Sequence, residues 1–276
     1  MKVLHAVHPN DFKSYDTALI RERFLLDALA SGDEINCAYT HYDRMIIGVA
    51  QPVTKQLELE NHPELRAAYF LERREIGIIN VGGDGTIIVD GQNFNLKKLD
   101  CLYIGKGVKE VYFLSADAAT PAVFYLLSAP AHTSYPTTLM THAEAAKVKA
   151  GDASTANLRT INKYIHLDGI KSCQLVMGLT ILNPGSIWNT MPAHTHDRRM
   201  EAYFYFDLNQ DHRVVHYMGE GNETRHILVK NYDAVVSPPW SIHAGSGTAS
   251  YNFIWGMAGE NLDYTDMDAL TIADLR

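Results

Sequence analysis

Two histidines and a glutamate lie close together in the segment MPAHTHDRRMEAYFYF, residues 191–206. Side chains two residues apart on a β-strand point to the same face, so His194 and His196 share a face. Glu201 follows His196 by five positions, and on an unbroken strand it would point the other way. It rejoins the histidines if DRRM (197–200) turns the chain and Glu201 begins the returning strand. The pattern therefore predicts a hairpin on which three metal ligands converge.

A fourth candidate ligand, His243, occurs in the segment VVSPPWSIHAGSG, where Pro238 and Pro239 indicate a turn before the chain re-enters a strand. Three imidazoles and one carboxylate suit a divalent transition-metal ion that keeps room for water or substrate. Mg²⁺ and Ca²⁺ prefer oxygen ligands and would not favour three imidazoles. The sequence therefore predicts a metal site formed by His194, His196, Glu201 and His243.

Most of the chain has the pattern of β-strands. The segment 75–115 is rich in β-branched residues and is interrupted by Gly and Asp turns, and the segments around 173–190 and 201–259 are similar. Helices are predicted only at 14–33 and 62–71. Strand-turn-strand units without interleaved helices indicate a mainly β fold, either an antiparallel sandwich or a barrel.

A weak internal repeat relates the two halves of the chain. The pair Arg73-Arg74 corresponds to Arg198-Arg199 at an offset of 125 positions, and Asp100 corresponds to Asp233 at an offset of 133. The repeat predicts two related β-barrels.

The same alignment predicts the domain boundaries. We expect a first barrel at 1–128, a connector rich in Ala, Thr, Ser and Pro at 129–160, and a second barrel at 161–276. The positions opposite His194 and His196 are Tyr69 and Leu71, which do not bind metals in this way. Any metal site of this kind therefore belongs to the second half only.

Composition narrows the class of protein. The chain has 276 residues, 46% of them hydrophobic, and a formal net charge of -8, which argues against nucleic acid as the main partner. No apolar stretch approaches the roughly 20 residues of a membrane span, and the N-terminus lacks the apolar core of a signal peptide. Cys37, Cys101 and Cys173 form no CxxC motif. We expect reduced cysteines, no membrane association and a cytoplasmic location.

The arrangement HxHx4E followed by PxxxH resembles the two motifs of the cupin fold. Nearly the whole chain resembles the 5-keto-4-deoxyuronate isomerase family (4-deoxy-L-threo-5-hexosulose-uronate ketol-isomerase) within the cupin superfamily. The resemblance rests on HTHDRRMEAYFYF, ETRHILVKN, SPPWSIHAGSG, FIWGMAGEN and MDALTIADLR, together with RERFLLD and GGDGTIIVDG nearer the N-terminus. Asn231 departs from the generic cupin pattern, in which glycine often precedes the second motif.

The resemblance implies two cupin-like antiparallel barrels (a bicupin-like fold), of which the first has lost the metal site. It implies one Zn²⁺ per chain on His194, His196, Glu201 and His243, and a homo-oligomer, specifically a hexamer. It also implies the conversion of 5-dehydro-4-deoxy-D-glucuronate to 3-deoxy-D-glycero-2,5-hexodiulosonate, an aldose–ketose isomerisation in pectin and uronate breakdown.

Such an isomerisation moves hydrogen from C2 to C1, either as a proton carried by a general acid/base or as a metal-assisted hydride shift. The sequence leaves the acid/base open among Asp197, Tyr203, Tyr205, His216 and His226. A substrate carboxylate calls for a cation, and the sequence leaves this open among Arg198, Arg199, Arg225 and Lys171.

Two other functions fit the same ligand set. A cupin dioxygenase would hold a redox-active metal on three histidines and a glutamate, and oxygen uptake would distinguish it. A sugar-acid-binding cupin without catalysis would keep the barrel, although it would have no need of an intact ligand set.

Overall fold

The computed structural model describes residues 1–276, and most of its regular structure is β-strand. Two short α-helices lie near the N-terminus, α1 (Pro9–Phe12) and α2 (Thr17–Phe24). Single turns of 3-10 helix cover Pro63–Leu65, Ala153–Thr155 and Ile272–Asp274. The predicted mainly β fold with few short helices is confirmed. No helix has the length and apolar composition needed to cross a membrane.

The strands, in chain order, are β1 (Lys2–Leu4), β2 (Leu25–Leu26), β3 (Glu34–Thr40), β4 (Ile46–Gln51), β5 (Leu57–Glu58), β6 (Arg74–Asn80), β7 (Gly85–Val89), β8 (Gln92–Leu96), β9 (Cys101–Ile104), β10 (Val111–Ser115), β11 (Phe124–Pro130), β12 (Thr138–Met140), β13 (Ala146–Ala150), β14 (Arg159–Ile165), β15 (Val176–Leu182), β16 (Trp188–Asn189), β17 (His194–Thr195), β18 (Arg199–Phe206), β19 (Val214–Glu220), β20 (Glu223–Val229), β21 (Ala234–Ser237), β22 (Ala244–Gly247), β23 (Asn252–Gly259) and β24 (Asp268–Ala269).

The first half contains two sheets. The larger has the order β1-β3-β4-β11-β6-β9-β12, and the smaller has the order β5-β10-β7-β8. All their pairings are antiparallel except that of β1 with β3. Ile78 and Ile104 of the larger sheet share one buried apolar core with Ile87 and Phe113 of the smaller sheet, so the two sheets face each other.

The second half repeats this arrangement. Its larger sheet has the order β13-β14-β15-β23-β18-β21-β2, and its smaller sheet has the order β16-β22-β19-β20. Matching turns support the repeat, because Asp100 Oδ2 accepts a hydrogen bond from Lys97 N at 2.8 Å and Asp233 Oδ2 accepts one from Lys230 N at 2.9 Å. The internal repeat predicted from the sequence is therefore confirmed. The two sheets of each half are separate hydrogen-bonded ladders, so each barrel is a flattened sandwich.

The larger sheets of the two halves pack against each other. Tyr125 of β11 stacks on Phe204 of β18 with ring centroids 4.3 Å apart. Glycines permit the close approach: a Cβ on Gly77 would lie 2.6 Å from the Ile165 side chain, and one on Gly256 would lie 2.0 Å from a Leu127 methyl group. The four sheets therefore stack in the order small, large, large, small.

One buried carboxylate also joins the halves. Glu75 on β6 accepts hydrogen bonds from three consecutive backbone N–H groups of the second half, those of residues 173–175, at 2.7, 2.9 and 2.9 Å. Its fourth donor is the Tyr103 hydroxyl at 2.8 Å. These bonds fix the loop that leads into β15.

The halves also exchange edge strands. β2 lies between β1 and β3 in sequence, both of which belong to the first half, but it pairs with β21 of the second half. β12, which lies in the predicted connector, pairs with β9 at the corresponding edge of the first half. The predicted connector 129–160 contains β12 and β13 and the start of β14. The boundaries at 128 and 160 stay a prediction.

The two helix predictions were too long. Asp16 begins α2 by accepting a hydrogen bond from Leu19 N at 2.8 Å, but the helix ends at Phe24, because Leu25 and Leu26 leave it to pair with β21. In 62–71, only the 3-10 turn Pro63–Leu65 forms, and it ends at Arg66 in a left-handed conformation. At the end of α2, a tertiary contact therefore overrides local helix propensity.

Candidate metal centre

The strand ends of the second half bring the candidate ligands together. His194 lies on β17, the chain turns over His196–Arg199 with Arg199 N donating to His196 O at 3.1 Å, and Glu201 lies near the start of β18. The predicted turn is confirmed, but the predicted hairpin pairing is wrong. β18 is already paired on both edges, with β21 and β23, so β17 pairs with β24 instead.

The four predicted ligands form one compact cluster, and it is the only metal-ligand cluster of at least three His, Cys, Asp or Glu residues in the chain. His194 Nε2 lies 3.1 Å from His196 Nε2 and 3.0 Å from His243 Nε2. Glu201 Oε2 lies 3.2 Å from His196 Nε2 and 2.8 Å from His243 Nε2. His196, Glu201 and His243 are buried, and His194 is half-buried.

The chemistry of these atoms fits a cation at their centre. His196 Nδ1 lies 2.6 Å from Asp266 O, and a carbonyl oxygen only accepts, so Nδ1 carries the proton and Nε2 presents a lone pair to the cluster. Glu201 Oε2 is buried and has no hydrogen-bond partner. Lone pairs and a carboxylate oxygen that converge at about 3 Å repel one another unless positive charge lies between them.

Electrostatics within the cluster support the same interpretation. Burial is the largest influence on Glu201 and would raise its pKa, but His243 and His196 together hold that pKa below its usual range. Burial, followed by the neighbouring His243, lowers the pKa of His194 to about 2. At neutral pH, Glu201 is therefore ionised and His194 is neutral, which are the states that bind metal.

The four ligand atoms all lie within 4.8 Å of one another, so a single ion could contact all of them.

A cavity of about 300 Å³ opens onto the cluster. His194, His196 and Glu201 line it, together with Tyr203, Thr180 of β15 and aromatic and apolar side chains from β14, β23 and the C-terminal segment. Tyr203 is hydrogen-bonded to the Thr190 hydroxyl at 2.8 Å. Burial raises the pKa of Tyr203 well above its ordinary value, so the phenol stays protonated and acts as a hydrogen-bond donor.

The structure separates the other acid/base candidates. Tyr205 is buried behind Tyr203, and its hydroxyl lies 2.7 Å from His216 Nδ1. His216 Nε2 is buried with no hydrogen-bond partner, and burial lowers the pKa of this residue to about 3, so it is neutral. Neither residue lines the cavity. Asp197 and His226 are exposed and lie outside it.

None of the four candidate cations lines the cavity. Arg198 pairs with Asp266 and Asp268, and Arg225 pairs with Glu223 at 2.7 Å. Lys171 is exposed and donates to Leu167 O. Arg199 is buried and donates to Asp263 O at 2.7 Å, so it supports the C-terminal segment.

Sequence reasoning missed the cation that does line the cavity, Arg159 on β14. Its guanidinium is anchored by Asn157 O at 2.9 Å and has no carboxylate within 4.0 Å. Burial lowers its pKa from the usual value, but it remains charged at neutral pH. Alternation places Arg159 on the same face as Ile161, which also lines the cavity, but the sequence does not show which face points inward.

The chain is similar over nearly its whole length to proteins named for one activity. The chain is 56% identical over 272 residues to a 4-deoxy-L-threo-5-hexosulose-uronate ketol-isomerase of Formosa agariphila, covering 99% of this chain and 97% of that protein. It is 54% identical over 276 residues to a protein of the same name from Lachnoclostridium phytofermentans, with both chains fully covered.

Solved structures support the fold. An IolB-like protein from Salmonella typhimurium LT2 superposes with a TM-score of 0.73 at 15% identity, covering 90% of this chain and 96% of that one. Bacillus subtilis oxalate decarboxylase, described with Mn(II) centres, superposes with a TM-score of 0.57 at 10% identity, covering 82% of this chain and 71% of that one. Residues 28–272 match the model of the KduI/IolB family, and the chain belongs to that family.

Proposed function

We propose that the chain is a zinc-dependent aldose–ketose isomerase that converts 5-dehydro-4-deoxy-D-glucuronate to 3-deoxy-D-glycero-2,5-hexodiulosonate in uronate breakdown. The observation that carries the proposal is the cluster of three imidazoles and one carboxylate at a cavity, in a chain with near full-length relatives named for this activity. His194, His196, Glu201 and His243 would hold the ion.

The reaction moves hydrogen between two adjacent carbons, each of which carries an oxygen. A divalent ion in the cluster would supply Lewis acidity toward these two oxygens. Arg159 is the cation on the cavity wall, and its planar guanidinium suits the substrate carboxylate. Because Asn157 already anchors this side chain, little conformational entropy is lost on binding.

The cavity wall favours a direct shift of hydrogen. It carries no carboxylate or imidazole other than those of the ligand cluster, and the phenols of Tyr203 and Tyr264 stay protonated because burial raises their pKa, that of Tyr264 to about 12. In the shift, hydrogen leaves C2 with its electron pair and bonds to C1, while the C2 hydroxyl proton passes to the former aldehyde oxygen. Tyr203 can donate a hydrogen bond to a substrate oxygen during this step.

The remaining features are carried over from the family resemblance. We extend the proposal to a homohexamer, to a cytoplasmic location and to a first domain that has no metal site. The cytoplasmic location is supported by three cysteines that form no disulfide. Subunit contact is supported by an apolar surface cavity of about 670 Å³ that includes Trp188 and Ile272.

The test is turnover of 5-dehydro-4-deoxyglucuronate by purified protein, with and without a chelator, alongside elemental analysis. We expect formation of the 2,5-diketo acid, loss of activity with the chelator and recovery on addition of zinc, with about one zinc per chain. A fully metal-loaded protein without turnover would refute the proposed substrate. An oxygen electrode would then test the dioxygenase alternative.

A further inference from the structure

The repeated arginine pair has different surroundings in the two halves. Arg74 begins β6 opposite Pro130, the last residue of β11, and Arg199 begins β18 opposite Gly259, the last residue of β23. The two arginines therefore occupy equivalent positions, and each is preceded by a second arginine.

In the second half, an acidic segment covers the pair. Arg198 Nε lies 2.6 Å from Asp266 Oδ1, and Arg198 Nη2 lies 2.8 Å from Asp268 Oδ2. Arg199 donates to backbone oxygens of the same segment, including Asp263 O. The C-terminal segment thus neutralises this pair and holds its hydrogen-bond donors.

In the first half, no carboxylate pairs with the equivalent arginines Arg73 and Arg74. Arg74 is 6% exposed, and its Nε and Nη2 donate to Ser128 and to Arg44 O, which are uncharged acceptors. Its Nη1 has no partner within the chain. No carboxylate lies within 4.0 Å of Arg44, Arg73 or Arg74. Glu75 acts on this guanidinium only from beyond pairing distance, and a buried guanidinium without a directly paired carboxylate is unfavourable, so the site attracts negative charge.

All three of these arginines line one cavity of about 230 Å³. The only carboxylate on its wall, Glu64, lies 3.9 Å from the N-terminal ammonium group and is paired with it. Arg44 and Arg73 are exposed at the mouth, whereas Arg74 lies at the base. Planar guanidinium groups match the oxygens of carboxylates and phosphates.

We infer that this cavity, lined by Arg44, Arg73 and Arg74, binds a small oxyanion, either a phosphate or the carboxylate of a small sugar acid. The site lies in the half without the metal cluster and does not depend on the proposed activity. Its ligand takes the place that the acidic segment 263–268 occupies in the second half.

Isothermal titration calorimetry tests the inference with inorganic phosphate and with D-glucuronate, each titrated into the full-length protein. The Arg44→Gln/Arg73→Gln variant removes the charges at the mouth. Arg74→Lys keeps the buried charge but loses the planar fork. Arg23→Gln is the matched control, because Arg23 is a half-buried arginine elsewhere on the chain that pairs with Glu22. Circular dichroism confirms that each variant is folded.

We expect at least one anion to bind, with affinity that falls at high salt. The double variant should weaken binding at least about tenfold, because it removes two charged hydrogen-bond donors. Arg23→Gln and the metal-site variant His194→Ala should retain this binding. Phosphate binding alone identifies a phosphate site, and glucuronate binding alone identifies a carboxylate site. Absence of binding by both anions, or unchanged affinity in the double variant, would overturn the inference.

Discussion

Replacing Glu75 with glutamine should destabilise the whole chain, because this carboxylate joins the two halves. Oε2 accepts from Cys173 N and from the Tyr103 hydroxyl, and Oε1 accepts from Gln174 N and Leu175 N. Glutamine offers one acceptor oxygen and one NH₂ donor in the same volume. In its best orientation, the glutamine oxygen still accepts from the N–H groups of residues 174 and 175. The Tyr103 hydroxyl can then rotate and accept a hydrogen bond from the glutamine NH₂ group.

That orientation leaves the NH₂ group opposite the N–H of Cys173, where the present N···O distance is 2.7 Å. One charge-assisted hydrogen bond is lost and two donors face each other, which costs about 2 kcal/mol. The two retained bonds lose their charge assistance, at about 0.5 kcal/mol each. The expected decrease in the free energy of unfolding is therefore about 3 kcal/mol.

Urea denaturation followed by tryptophan fluorescence and circular dichroism measures this change. Glu58→Gln is the matched control, because Glu58 is exposed on the short strand β5, and its stability should stay within about 0.5 kcal/mol of the wild type. A Glu75→Gln protein equally close to the wild type would refute the argument that this carboxylate holds the halves together.

Four further changes test the site and its surroundings. His196→Ala or His243→Ala should lose bound metal while circular dichroism stays native, and exposed His226→Ala should keep it; full metal retention in both ligand variants would contradict the assignment. Arg159→Gln should lower kcat/KM about 10- to 100-fold through a lost charge-assisted contact, whereas Arg225→Gln outside the cavity should not. Deuterium at C2 of the substrate should appear in the product hydroxymethyl group, and its loss to water would show proton transfer instead. Burial raises the pKa of Asp233 to about 6, so its contribution to folding is present below pH 4 and is lost as the pH rises through 6. The free energy of unfolding of Asp233→Asn should therefore rise by about 3 kcal/mol relative to that of the wild type between pH 4 and pH 7 in urea titrations, and an equal pH dependence of the two proteins would argue against this.

The convergence of His194, His196 and Glu201 could be predicted from the sequence because their geometry is mostly local. His194 and His196 share a face through strand alternation, and a short turn brings Glu201 back to them. The pairing of β17 with β24 could not be predicted, since it depends on β18 having both edges occupied by distant strands. A local sequence pattern predicts that a segment forms a strand, but it does not predict which strands pair with it.

Arg159 shows the same limit at the candidate site. Arg159 and Ile161 share one face of β14, but the direction of the cavity depends on how β14, β18 and the C-terminal segment are packed. The end of α2 was also beyond local reasoning. Leu25 and Leu26 continue the helical pattern, and only their pairing with the second half removes them from the helix.

The exchange of edge strands bears on the history and modularity of the chain. If a duplicated unit gave rise to the two halves, each copy now completes the sheet of the other, and neither remains a self-sufficient module. A cut between them would leave β9 or β21 with an unpaired edge, which is a template for aggregation. Loss of the first half would therefore expose the β21 edge of the half that holds the candidate ligands.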